Sequence, residues 1–171
     1  MKQKIIKTKR LVLGAMEDKD KDDLIRMMTD PEVYGTYMVP ELDTDDKKTQ
    51  LFKRLRDISS SERFFYGIFL QDKLIGMIHE AGGTADEPEI GYVISPDEKG
   101  KGYATEAFFA AISALFDNGA KAVVAGAFEE NPASFRVMQK CGLTETGQTE
   151  DIDYRGKIHK CIYLKIKNPN I

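Results

Sequence analysis

The sequence predicts an α/β fold, one mixed sheet with helices on both faces. Short apolar runs that suit strands alternate with stripes recurring every three or four residues, in the order β-α-α-β-β-β-α-β-α-β-β. At the centre, Lys99 to Glu106 reads Lys-Gly-Lys-Gly-Tyr-Ala-Thr-Glu and sits where a strand hands over to a helix. Glu89 to Ile94 is the strand before it, broken by Ser95-Pro96-Asp97-Glu98. After it, Ala104, Ala107, Phe108, Ala111, Ile112 and Leu115 mark one helix face.

Taken in order, Thr8 to Leu13 is a short strand of β-branched and aliphatic residues. Asp18 to Met28 is a short helix burying Leu24, Ile25 and Met28, ended by Asp30-Pro31. Glu32 to Pro40, with Tyr34 and Tyr37 around Gly35, is a loop or broken helix. Asp43 or Thr44 caps the next helix, which runs to about Ile58. Phe64–Leu70 and Lys73–His79 form a hairpin around Gln71-Asp72, and Gly82-Gly83 with Asp86-Glu87-Pro88 make the following turn. Asn118-Gly119 stops the central helix. Lys121 to Gly126 is a buried, parallel strand, and Asn131-Pro132 opens a helix that closes at Cys141-Gly142. Leu143–Asp153 and Lys157–Ile166 are a final hairpin around Tyr154-Arg155-Gly156.

Length and composition bound the function. No linker or low-complexity stretch divides the 171 residues, so a single domain over 1–171 is expected. A net charge of −3 argues against a general nucleic-acid partner, which requires a basic face. The basic segment Met1 to Arg10 is followed only by Leu11-Val12-Leu13, too short for a signal-peptide core, and no run approaches a membrane span. Cys141 and Cys161 lack metal spacing and are too few for a disulfide framework. No metal site and no membrane association are expected, and a reducing, cytoplasmic setting is the economical one.

The central loop carries the chemistry. A helix N-terminus presents free backbone N–H groups and partial positive charge. Gly100 and Gly102 let a ligand approach the backbone, while Lys99 and Lys101 add charge. Together these make a site for a phosphate-bearing cofactor.

Lys99-Gly100-Lys101-Gly102-Tyr103-Ala104, in this order of elements, resembles the pyrophosphate signature of the GNAT superfamily of N-acetyltransferases: Gln or Arg, two residues, Gly, one residue, then Gly or Ala. Lys99 departs from the usual first residue. Thr8 to Leu13, Glu89-Ile90-Gly91-Tyr92, Asn131 to Ser134 and Cys141-Gly142-Leu143 resemble the ribosomal-protein-alanine N-acetyltransferase branch. The resemblance covers nearly the whole chain. It implies a largely antiparallel sheet with a splayed central strand pair, where Tyr92, Val93 and Ile94 meet the pantetheine arm of acetyl-CoA.

The resemblance also implies roles for particular residues. Lys99, Gly100, Lys101, Gly102, Tyr103, Ala104 and Thr105 hold the cofactor phosphates, and Asn131 and Ser134 reach the arm or the thiol. Glu89, at the start of its strand, takes the proton from the amine, and Ser134 protonates the leaving thiolate. Tyr34 and Tyr37 line the acceptor with Glu89. Many relatives carry a tyrosine acid where this chain has Met138, and an aspartate near the position of Lys160. His79 and His159 read as lone histidines at strand positions in exposed or structural roles, and Cys141 has no histidine partner in view.

The expected activity is transfer of an acetyl group from acetyl-CoA to a primary amine, a protein or peptide N-terminus by preference, by direct attack in a ternary complex. A small-molecule acceptor such as a polyamine or aminoglycoside, and a non-catalytic CoA-binding module, are the alternatives. The protein is expected to act as a monomer or homodimer.

Overall fold

The computed structural model describes residues 4–171, so the first three residues of the basic segment Met1–Arg10 lie outside the described residues. The fold is α/β, with an open mixed sheet of eight strands and five α-helices among the described residues. The chain groups into two compact units. One holds the residues up to His79 together with Tyr92–Ala107; the other holds Glu80–Gly91 and Phe108–Ile171.

In the first unit, β1 (Ile6–Lys7) and β2 (Leu11–Gly14) form an antiparallel hairpin. This corrects the single strand expected over Thr8 to Leu13. The Thr8 amide donates to the Leu11 carbonyl at 2.9 Å and the Leu11 amide to Thr8 Oγ1 at 2.9 Å, which folds Thr8–Leu11 into a turn. A single 3₁₀ turn at Asp18–Asp20 leads into α1 (Lys21–Met28), so the helix proper begins later than expected. Glu32 lies in α2 (Pro31–Tyr34), one turn of helix capped by Asp30, whose carboxylate accepts from the Glu32 amide at 2.9 Å. α3 (Asp45–Ser59) is capped by Thr44. These helices bury Leu24, Met27, Met28, Leu51, Phe52 and Leu55 in one apolar core with Phe65, Leu74, Met77 and Val93.

β3 (Phe65–Leu70) pairs antiparallel with β2 and with β4 (Lys73–Gly83), turning at Gln71 in the left-handed region. β4 continues through Gly82-Gly83, which the sequence placed in a turn. The turn is Thr84–Glu87, closed by reciprocal backbone bonds of 3.1 Å. Gly83 must still be a glycine: its φ of 85° is left-handed, and a Cβ there would lie 2.3 Å from the Glu87 carbonyl oxygen. β5 (Pro88–Ile94) follows, and a 3₁₀ turn at Pro96–Glu98 ends the extended run.

α4 (Tyr103–Asp117) begins in the first unit and ends in the second. In the second unit β6 (Ala122–Phe128) pairs parallel with β5 at Glu89↔Val124 and antiparallel with β8 (Lys157–Lys167). α5 (Pro132–Lys140) lies between β6 and β7 (Thr144–Tyr154) in sequence. β7 and β8 form the expected hairpin, with Arg155 and Gly156 both at positive φ. The strand order is β1-β2-β3-β4-β5-β6-β8-β7. Among the described residues no helix is long and apolar enough to cross a membrane.

Candidate active site

The loop before α4 is shaped by its glycines. Gly100 and Gly102 have φ of 75° and 82°, a conformation that side chains with a Cβ rarely adopt. A Cβ at Gly100 would meet nothing within 4 Å, so the backbone there is open to close approach. Tyr103, Ala104 and Thr105 then form the first turn of α4. Both lysines are paired: Lys99 Nζ lies 3.0 Å from Glu32 Oε2, and Lys101 Nζ donates to Glu98 Oε2 at 2.8 Å and to the Asp97 carbonyl at 3.1 Å. The backbone N–H groups at the helix end, which the dipole makes partly positive, are therefore the better anion ligands.

Arg10, to which sequence reasoning gave no role, braces this loop. Its Nη1 donates to the Lys101 carbonyl at 2.9 Å, and its guanidinium lies 4.5 Å from the centre of the Tyr103 ring. Nε donates to Glu106 Oε2 at 2.6 Å, while the Arg10 amide and Thr8 Oγ1 donate to Glu106 Oε1 at 2.8 and 2.6 Å. Burial works to raise the Glu106 carboxyl, but the bonds from Thr8 and Arg10 outweigh it and hold the group below the ordinary carboxylate range. The one sequence signal was Arg10 in the Thr8–Leu13 stretch, where nothing pointed it at a residue 96 positions away.

In β5, Val93 and Ile94 are buried. β4 lies close beside them: a Cβ at Gly76 would fall 2.4 Å from the Val93 carbonyl oxygen. Tyr34 and Tyr37 both pack against the core of the first unit. Tyr37 Oη lies 2.6 Å from His79 Nε2, and burial pushes its phenol well above the usual range. His79 in turn stacks on Phe65, with ring centres 5.1 Å apart.

In the second unit Glu89 is half-buried, and among the described residues its carboxylate has no hydrogen-bonding or ion-pairing partner. Burial, and secondly the charge of Glu150, raise its carboxyl above the ordinary value. Asn131 caps α5, its Oδ1 accepting from the Ser134 amide at 3.3 Å, so Asn131 and Ser134 meet at one helix N-terminus. Met138 is fully buried, leaving no proton donor at that position of α5. Cys141 is buried and its thiol is pushed up to about 11 by that burial, which rules it poor as a nucleophile. His159 is not a lone histidine: its Nδ1 bonds Glu130 and its ring stacks on Phe128 at 4.4 Å.

Comparison with known proteins agrees with this architecture. The family model described as acetyltransferase (GNAT) domain matches residues 10–144. The uncharacterized N-acetyltransferase YnaD of Bacillus subtilis is 30% identical over 144 residues, covering 83% of this chain and 84% of that protein. An acetyltransferase (GNAT family) from Bacillus anthracis superposes with a TM-score of 0.83 at 23% identity, over 96% of this chain and 99% of the other. RimL, a ribosomal L7/L12 alpha-N-protein acetyltransferase solved with coenzyme A, gives 0.79 at 17%, over 96% and 98%. A spermidine N-acetyltransferase from Vibrio cholerae, solved with CoA and spermine, gives 0.77 at 19%, over 94% and 97%. With a family model spanning most of its length and a curated relative at 30% identity, the chain belongs to the GNAT acetyltransferase family.

Proposed function

We propose that this protein transfers the acetyl group of acetyl-CoA to the α-amine at a protein or peptide N-terminus, by direct attack in a ternary complex. Acetyl transfer is the activity of the family to which it belongs. The observation that carries the cofactor assignment is the loop before α4, where two left-handed glycines precede a helix N-terminus and the backbone at Gly100 is open. Gly100, Gly102, Tyr103, Ala104 and Thr105 offer the phosphates their backbone N–H groups. Lys99 and Lys101 offer charge once released from Glu32 and Glu98. Tyr92, Val93 and Ile94 line the pantetheine arm, and an amide of Val93 or Ile94 donates to the acetyl carbonyl oxygen. Acetyl-CoA itself supplies the activated acyl group.

Glu89 accepts the proton of the attacking amine, directly or through water. A half-buried carboxylate with raised proton affinity and, among the described residues, no ion-pairing partner is suited to that work. Ser134 protonates the leaving thiolate, with Asn131 fixing the start of α5. Tyr34 and Tyr37 flank the acceptor. An N-terminal α-amine, with a pKa near 7.7–8.0 against about 10.4 for lysine, is far more often neutral at pH 7, and suits a site with one base and no tyrosine acid on α5.

The named structural neighbours include enzymes for both acceptor classes. A polyamine is the second reading, favoured by the repulsion between the Glu89 and Glu150 carboxylates, which a bound cation would relieve. The acidic run Glu41–Asp46 favours it less, because Asp43 is bound by Lys47 at 2.6 Å and Thr44 caps α3. The enzyme is taken as one catalytic domain over 1–171 that works in the cytoplasm. Release of CoA thiol, followed over a panel of N-terminal peptides, lysine peptides and polyamines, tests the function. Release with the peptides bearing a free α-amine supports it, and no release with any amine overturns it.

A further inference from the structure

The second unit holds a polar row that the sequence did not flag. Glu89 pairs with Val124 across β5 and β6; Gly126, two residues on, pairs with Tyr163 of β8; Cys161 of β8 pairs with Glu150 of β7. Paired and alternate positions share one face of a sheet, so Glu89, Gly126, Tyr163, Cys161 and Glu150 lie on the same side. Gly126 makes the room. A Cβ there would meet the Tyr163 ring at 2.7 Å and Cys161 Sγ at 2.8 Å. Tyr163 Oη donates to Glu150 Oε2 at 2.7 Å and so fixes where that carboxylate points. Lys165, on the same face opposite Val124, is held at 2.7 Å by both oxygens of Glu87.

We propose that Glu150, held in place by the Tyr163 hydroxyl, is a positioning residue that sets the proton affinity of Glu89. The inference rests on Glu89 acting as the base. A second negative charge on the same face resists ionisation of the first, so Glu89 keeps its proton to higher pH and takes one more readily from an incoming amine. The direction of the Glu89 shift, with Glu150 as its second cause after burial, agrees. Other groups on this face act differently. Cys161 and Tyr163 are neutral at pH 7, both pushed up first by burial, and Lys165 is neutralised by Glu87. On β4 a Cβ at Gly82 would lie 3.4 Å from Glu89 Oε2, and Glu80 is two residues earlier on the same side.

The pH dependence of kcat/KM with acetyl-CoA and a short α-amine peptide tests this, alongside a ¹³C NMR titration of the Glu89 carboxyl in the free protein. In Glu150→Gln, which keeps the size of the side chain and so the burial of Glu89, the acid limb and the NMR midpoint both move to lower pH. In Tyr163→Phe, where Glu150 stays charged but is no longer aimed, both move the same way by less. A Glu150→Gln protein that is slower at every pH with an unmoved midpoint overturns the inference while Glu89 remains the base. Wild-type turnover by Glu89→Gln overturns the base assignment as well.

Discussion

At the scale of single residues, Glu89 is held in a setting that suits chemistry better than stability. Its carboxyl is raised by burial and then by Glu150, so the folded state binds a proton more tightly than the unfolded chain. For a carboxylate shifted this way, stability falls as pH rises from the unfolded value through the folded one. Above that window the protein carries the full cost. Glu89→Gln is therefore expected to raise Tm at pH 7 while lowering the acetylation rate by about 10²–10⁴-fold. Thermal melts and steady-state rates on the same sample check both; a lowered Tm or an unchanged rate contradicts the assignment. The glycines separate in the same way. Gly76→Ala places a Cβ 2.4 Å from the Val93 carbonyl oxygen, a backbone atom, and is expected to destabilise by roughly 1–3 kcal/mol in urea melts. At Gly102 the neighbour is only the tip of Arg10, at 3.3 Å, but φ is 82°. Gly102→Val should leave a folded protein that no longer binds acetyl-CoA in calorimetry; retained affinity would remove the loop from the cofactor site.

At the scale of elements, the β1–β2 turn and the first turn of α4 are joined by Glu106, which takes bonds from Thr8 and from Arg10. Its carboxyl is held low, against the pull of burial, so it stabilises the fold above the ordinary carboxylate range and loses that contribution as pH falls through its own lower value. Glu106→Gln should cost on the order of 1 kcal/mol at pH 7, with the gap to wild type closing below about pH 4. A gap independent of pH would mean that packing, not charge, is at work there. These elements also show what the sequence conveyed. Helices with a cap and an apolar stripe, such as α3 with Thr44 and α5 with Asn131-Pro132, were legible because their signals are local. The β1–β2 hairpin was not, because its turn is made by a threonine hydroxyl where turn residues such as Asn-Gly are absent. Gly82-Gly83 misled for the converse reason: glycines that mark a turn in most sequences here end a strand.

At the scale of the whole molecule, the order of strands and helices and the glycine loop sufficed to predict the α/β fold and the family. The surroundings of the candidate residues were beyond that reach. Arg10 meets Glu106 across 96 positions and Tyr163 meets Glu150 across a hairpin, and such partners follow from register, which a one-residue slip would invert. The lysines of the loop illustrate the same limit. The sequence gives them free charge, whereas the folded chain pairs Lys99 with Glu32 and Lys101 with Glu98. What the acceptor is depends on those surroundings, and one measurement addresses it. A short peptide with a free N-terminal Ala or Ser competes with spermidine for limiting acetyl-CoA, and the products are identified by mass spectrometry. Acetylation of the peptide at its α-amine in excess of spermidine is expected. Acetylated spermidine with no acetylated peptide would contradict it.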